Sequence, residues 1–77
     1  MITCLIAPEI LSDLGSQPYL RDATPTESEI FRQDHSSLNW SDDCGRPYFA
    51  VVIDTDHPDC PPQLVSKAKS RLRIRWL

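Results

Sequence analysis

The chain has 77 residues and a mass of 8.8 kDa, a length that admits one small domain over residues 1–77 and excludes a multidomain enzyme with its own cofactor fold. Hydrophobic residues make up 40% of it and charged residues 25%, with a net charge of −3, which excludes collagenous, wholly disordered and membrane-spanning chains. The expectation is a soluble domain with a thin core, since a chain of this size buries only about 60–65% of the surface its unfolded form exposes.

In chain order, residues 1–7 are short and rich in β-branched side chains, and Pro8 closes them, so they read as a first strand. Pro8 also suits the first turn of a helix. Ile10, Leu11 and Leu14 then fall on one side, and Gly15 stands where a positive φ ends such a helix. Residues 15–24 carry Gly, Ser, Pro and Asp and predict a loop, with Tyr19 and Leu20 folded back on the core. Thr24, Pro25 and Glu27 spell a capping box with proline at the first helical position, so a second helix starts there. Ile30, Phe31, His35 and Leu38 mark its apolar side. Residues 41–47 are dense in turn formers.

Residues 48–53 form an unbroken apolar run and predict a strand covered on both faces. Residues 54–62 hold three prolines and three aspartates and form turns. Pro61 and Pro62 open a third helix with Leu64, Val65 and Ala68 inward. Residues 71–77 alternate arginine with apolar residues, which favours a half-exposed strand over a longer helix, because a helix exposes Ile74 and puts Arg75 among the apolar side chains. The predicted fold is α/β: a small three-stranded sheet with two to three helices, in the order β-α-α-β-α-β. Residues 48–77 are expected to form a βαβ unit with a right-handed crossover. Ile2, Ile6, Phe31, Phe49, Val51, Ile53, Leu64, Leu72, Ile74 and Trp76 are the expected core.

Charge is segregated along the chain. Residues 1–63 hold all eleven carboxylates and three arginines, a net −8, whereas residues 64–77 hold five cations and no acid, a net +5. On a strand, Arg71, Arg73 and Arg75 stand on one face about 6.6–7 Å apart, close to a phosphate repeat. Ion pairing with the chain's own carboxylates, or protection of a sheet edge, is the competing and commoner use of such a row.

Asp54 and Asp56 follow the central apolar run, and on extended backbone they present two carboxylates at its carboxyl end. Two hard oxygen ligands there suit Mg²⁺ or Mn²⁺, while turn formation through nearby amides is the commoner use. Over residues 49–58, Phe-Ala-Val-Val-Ile-Asp-Thr-Asp-His-Pro, the sequence resembles the strand and D-x-D stretch of primase-like replicases of plasmids and phages. That resemblance implies metal binding by Asp54 and Asp56 during nucleotidyl transfer. The same residues are similar to the first motif of haloacid-dehalogenase-like phosphatases, which implies a nucleophile at Asp54 and an acid/base at Asp56. Both families need further acids and a histidine or lysine well downstream, and no His, Asp or Glu follows Asp59. A fragment or degenerate relative is what the resemblance then implies.

His57 and Cys60 have the two-residue gap of a metal-binding pair, and Cys44 and His35 complete a set of four N and S ligands for a tetrahedral zinc site that would staple a small core. A nucleophile pair of Cys60 with His57 is also writable, without an orienting group. Three cysteines cannot close a full disulfide set, and residues 1–7 lack the basic flank of a signal peptide. Free thiols in a cytoplasmic setting are the expectation, with Cys44–Cys60 the pairing left open.

The functional expectation is a small interaction or regulatory protein, not an enzyme, that docks on another macromolecule through its acidic body or basic end. The partner is expected to be a protein, with nucleic acid as the alternative for the arginine row and no membrane. A homodimer formed by strand pairing at the carboxyl-terminal edge is a further option.

Overall fold

The computed structural model describes residues 1–76. It contains β1 (Ile2–Ile6), α1 (Pro8–Leu14), β2 (Leu20–Asp22), α2 (Pro25–Asp34), β3 (Phe49–Ile53), α3 (Pro62–Ser70) and β4 (Arg73–Ile74). The strands form one mixed sheet in the order β2-β3-β1-β4. β1 pairs antiparallel with β3 and parallel with β4, and β2 pairs antiparallel with β3.

Two inner strands carry the core because their sequences are apolar on both faces. Cys4, Leu5 and Ile6 of β1 and Val51, Val52 and Ile53 of β3 are all buried. By register, Cys4, Ile6, Val51, Ile53 and Ile74 share one face, and Thr3, Leu5, Val52, Arg21 and Arg73 share the other. α2 lies over the second face, where Phe31 and Ile30 line a depression with Thr3. α3 packs on β1 and β4 with Leu64 and Ala68 buried.

The helix boundaries follow local chemistry. Proline stands at the start of all three helices, where no amide partner is needed. Thr24 Oγ1 accepts from the Glu27 N–H at 3.1 Å, and Glu27 Oε1 accepts from the Thr24 N–H at 3.0 Å, which completes the capping box. Gly15 ends α1 at φ +66°, and its N–H donates to the Leu11 carbonyl.

Four expectations need correction. The sheet has four strands, because Leu20–Asp22, read as loop, adds to the free edge of β3. Its identity comes from pairing: the Asp54 N–H donates to the Tyr19 carbonyl at 2.8 Å and the Ala23 N–H to the Ala50 carbonyl at 3.0 Å, bonds no local pattern announces. Residues 48–77 are not a βαβ unit, since β4 pairs with β1 and runs antiparallel to β3, both of whose edges are already occupied by β1 and β2. Regular pairing in the tail is confined to Arg73–Ile74, and Leu77 lies outside the described residues. Phe49 and Trp76 are 46% and 37% exposed instead of core; Phe49 extends past the three residues of β2, so one flank has no cover. Ile2 and Leu72 are half-buried, and the rest of the expected core is buried.

Among the described residues no helix is long and apolar enough to cross a membrane.

Candidate anion-binding face at the carboxyl-terminal edge

α3 ends at Ser70, whose hydroxyl donates to the Ser66 carbonyl at 2.9 Å, and Arg71 turns extended at φ −142° and ψ 132°. The chain bends at Leu72, and regular strand pairing covers Arg73 and Ile74. Arg71, Arg73 and Arg75 all line one depression of about 240 Å³, together with Asn39, Ser41, Asp43 and Tyr48. The same three arginines, with Lys67 and Ser70, line a second depression of about 270 Å³.

The cations of this face are not equivalent. Arg75 Nη1 lies 3.7 Å from Asp43 Oδ2. The Tyr48 hydroxyl beside it, with Asp43 and then Asp42, pushes the Arg75 pKa further up. Lys67 Nζ sits 3.7 Å over the Trp76 ring, a cation–π contact. Arg71 and Arg73 are exposed, and among the described residues neither is within ion-pair distance of a carboxylate. A guanidinium fork without an internal partner is built to take a planar or tetrahedral oxyanion in two parallel hydrogen bonds.

The cations of the body are occupied. Arg21 makes a two-point contact with Glu27 at 2.7 and 2.9 Å. Arg46 bridges Glu9 at 3.0 Å and Asp42 at 3.2 Å. Arg32 stacks 4.6 Å over Trp40. Competition from the chain's own acids, expected from the charge count, is therefore real for Arg21, Arg46 and Arg75 and, among the described residues, does not reach Arg71 or Arg73.

Asp54 and Asp56 sit in a different setting from the one expected. β3 stops at Ile53, and Asp54 Oδ1 accepts from the Asp56 N–H at 3.2 Å, so one carboxylate shapes the turn that carries the other. The backbone is folded there, and the parity that aims two carboxylates in one direction does not apply.

The four sulfur and nitrogen groups are dispersed. His35 caps α2, with Nδ1 3.2 Å from the Phe31 carbonyl and its ring stacked 4.5 Å from that of Phe31. Cys44 is exposed in the turn that Asp42 organises. His57 Nδ1 accepts from the Asp59 N–H at 3.1 Å, which occupies one of its ring nitrogens. Cys60 is buried, and desolvation with the nearby Asp54 pushes its thiol pKa up, the opposite of an activated nucleophile. Among the described residues no three His, Cys, Asp or Glu side chains converge as a metal-holding group. All three cysteines are free.

Sequence reasoning located the arginines and missed their surroundings. Tyr48, Asn39 and Ser41 come from a turn-rich segment with no periodicity. Their placement rests on Asp42, buried at 7% exposure, which accepts from the Cys44 and Arg46 N–H groups at 2.9 and 2.8 Å. Those bonds hold the Asp42 carboxyl below its usual range. An aspartate before Cys-Gly in a turn-former cluster is the one local signal of such a loop. Comparison of the chain with protein-family models, curated proteins and solved structures found no match in any of the three.

Proposed function

We propose that this protein is a small docking protein that engages an anionic surface of another macromolecule through Arg71, Arg73 and Arg75. The observation that carries the reading is the contrast just described: body arginines are consumed by internal partners, while Arg71 and Arg73 line a depression with none among the described residues. The acidic body supports it, since a molecule with −8 in residues 1–63 and +5 beyond presents one end preferentially and steers its own approach.

The test is recovery of a partner from lysate by immobilised protein, with the captured species identified. A species bound at low salt, released at high salt and not recovered by the R71E/R73E variant is the expected result. Equal recovery by that variant, or by one salt-insensitive mode, overturns the reading. D54A is the control expected to capture normally.

A further inference from the structure

The second depression adds a feature that charge alone does not require. β4 is an edge strand, bonded to β1 on one side only. The Leu5 N–H donates to the Leu72 carbonyl at 2.8 Å and the Ala7 N–H to the Ile74 carbonyl at 3.1 Å. Peptide groups alternate in direction along a strand, so Leu72 and Ile74 face β1 and the N–H and C=O of Arg73 face the open side. Arg73 also lines the depression bounded by Lys67, Ser70, Ile74 and the other two arginines. Among the described residues the Arg73 N–H and C=O have no backbone partner, and cations stand at every second residue around them.

Resting on the docking reading above, we propose that the partner's contact element is an extended acidic peptide, with Asp or Glu at alternate positions, that adds as a strand to the outer edge of β4. Carboxylates two residues apart on an extended chain repeat at about 6.6–7 Å, and Arg71, Arg73 and Arg75, at every second position, line the same two depressions. The peptide's main chain supplies both a donor for the Arg73 carbonyl and an acceptor for its N–H, as strand addition requires.

Two other occupants fit less well. A nucleic-acid backbone accepts from Arg73 but offers its carbonyl no donor through the phosphates. It also runs on past Arg75 toward Asp43, 3.7 Å from that guanidinium, where a further phosphate meets like charge. A second copy pairing β4 with β4 sets arginine against arginine at neighbouring positions, which is destabilising. A short acidic strand whose carboxylates meet Arg71 and Arg73 and which stops before Asp43 avoids both conflicts.

The probe is a synthetic seven-residue peptide alternating threonine and glutamate, titrated into the full chain at low salt while amide exchange is followed. The expected result is binding that protects the Arg73 amide, together with about tenfold weaker binding when the peptide's β4-facing amides are N-methylated, as loss of one or two hydrogen bonds implies. Because the modification is in the ligand, no variant needs to fold. Equal binding of the methylated peptide without protection at Arg73 overturns strand addition and leaves charge-driven docking standing. Binding of an oligothymidylate but not of the peptide, abolished by R71E/R73E, likewise overturns this inference alone. Failure of both probes, with no lysate partner recovered, removes the docking reading as well.

Discussion

At the β2 edge of the sheet Arg21 is held by Glu27 through two hydrogen bonds, and the same carboxylate accepts from the Thr24 N–H. At the β4 edge Arg71 and Arg73 have no such carboxylate among the described residues. The two edges share a sheet and a residue type, and they differ in whether a nearby stretch of chain supplies an acid that the fold can bring to the guanidinium. Glu27 comes six residues after Arg21, already immobilised by its own helix cap, so ordering the guanidinium costs little additional entropy. After Asp59 the chain has no acid at all, and a cation there pairs only with what the tertiary fold brings near. Asp43 reaches Arg75 in this way. An edge whose arginine is internally paired is closed and structural. An edge whose arginines have no carboxylate among the described residues is the one the docking proposal assigns to a partner.

The comparison presupposes one sheet, and its largest expected disruption lies at the centre. Ile6 is fully buried and faces Phe49 on one neighbour and Ile74 on the other. Ile6→Ala is expected to cost about 2–5 kcal/mol, a large share of the roughly 4–12 kcal/mol available to a chain of this length. Chemical denaturation of the variant checks it, and loss of β4 pairing should accompany the loss of stability.

Next in size is the cap behind the closed edge. Thr24→Ala removes one member of the capping box and is expected to cost about 1 kcal/mol, with increased amide exchange in the first turn of α2. A change within a few tenths of wild type means that the Arg21–Glu27 pair holds the helix start unaided.

A direct contrast of the edges comes from charge reversal. R21E breaks an internal pair and should lower the melting temperature measurably, whereas R71E/R73E is expected to stay within about 0.5 kcal/mol of wild-type stability while abolishing capture of the partner. Destabilisation of equal size in both variants means that the β4 arginines also have structural partners, and the distinction fails.

The smallest effect is in acid. Bonding to Arg21, and then to the Thr24 N–H, lowers the Glu27 pKa from its ordinary 4.5 to about 2. Since the folded value lies below the unfolded one, the contribution is fully present above pH 4.5 and is lost as pH falls toward 2. Glu27 is exposed to solvent screening, so the slope is modest. Glu27→Gln should flatten the dependence of the melting temperature on pH in that window.

Much of the fold was legible because its signals are local. The capping box at Thr24, the prolines that open α1 and α3, and the apolar runs of β1 and β3 each express a physical preference within a few residues, and each stands where it was expected. Leu20–Asp22 had no such signal, because three residues with one apolar side chain become a strand only when β3 offers an open edge. The expectation for Asp54 and Asp56 rests on parity along an extended chain, and the turn that Asp54 itself stabilises removes that parity. The arginine row was legible as a charge pattern. Its second wall was not, since Tyr48 and Ser41 reach it through a loop built around Asp42, a residue indistinguishable in sequence from its exposed neighbour Asp43.

The sequence by itself determined where helices start, which strands are apolar on both faces, and that positive charge gathers at the carboxyl-terminal end, because each depends on neighbours within a turn or two. Only the tertiary structure decided that β4 joins β1 instead of β3 and that, among the described residues, Arg75 meets Asp43 while Arg71 and Arg73 meet no carboxylate. Those outcomes turn on which edges and which carboxylates are still available once the other strands have paired, and availability is a property of the assembled sheet.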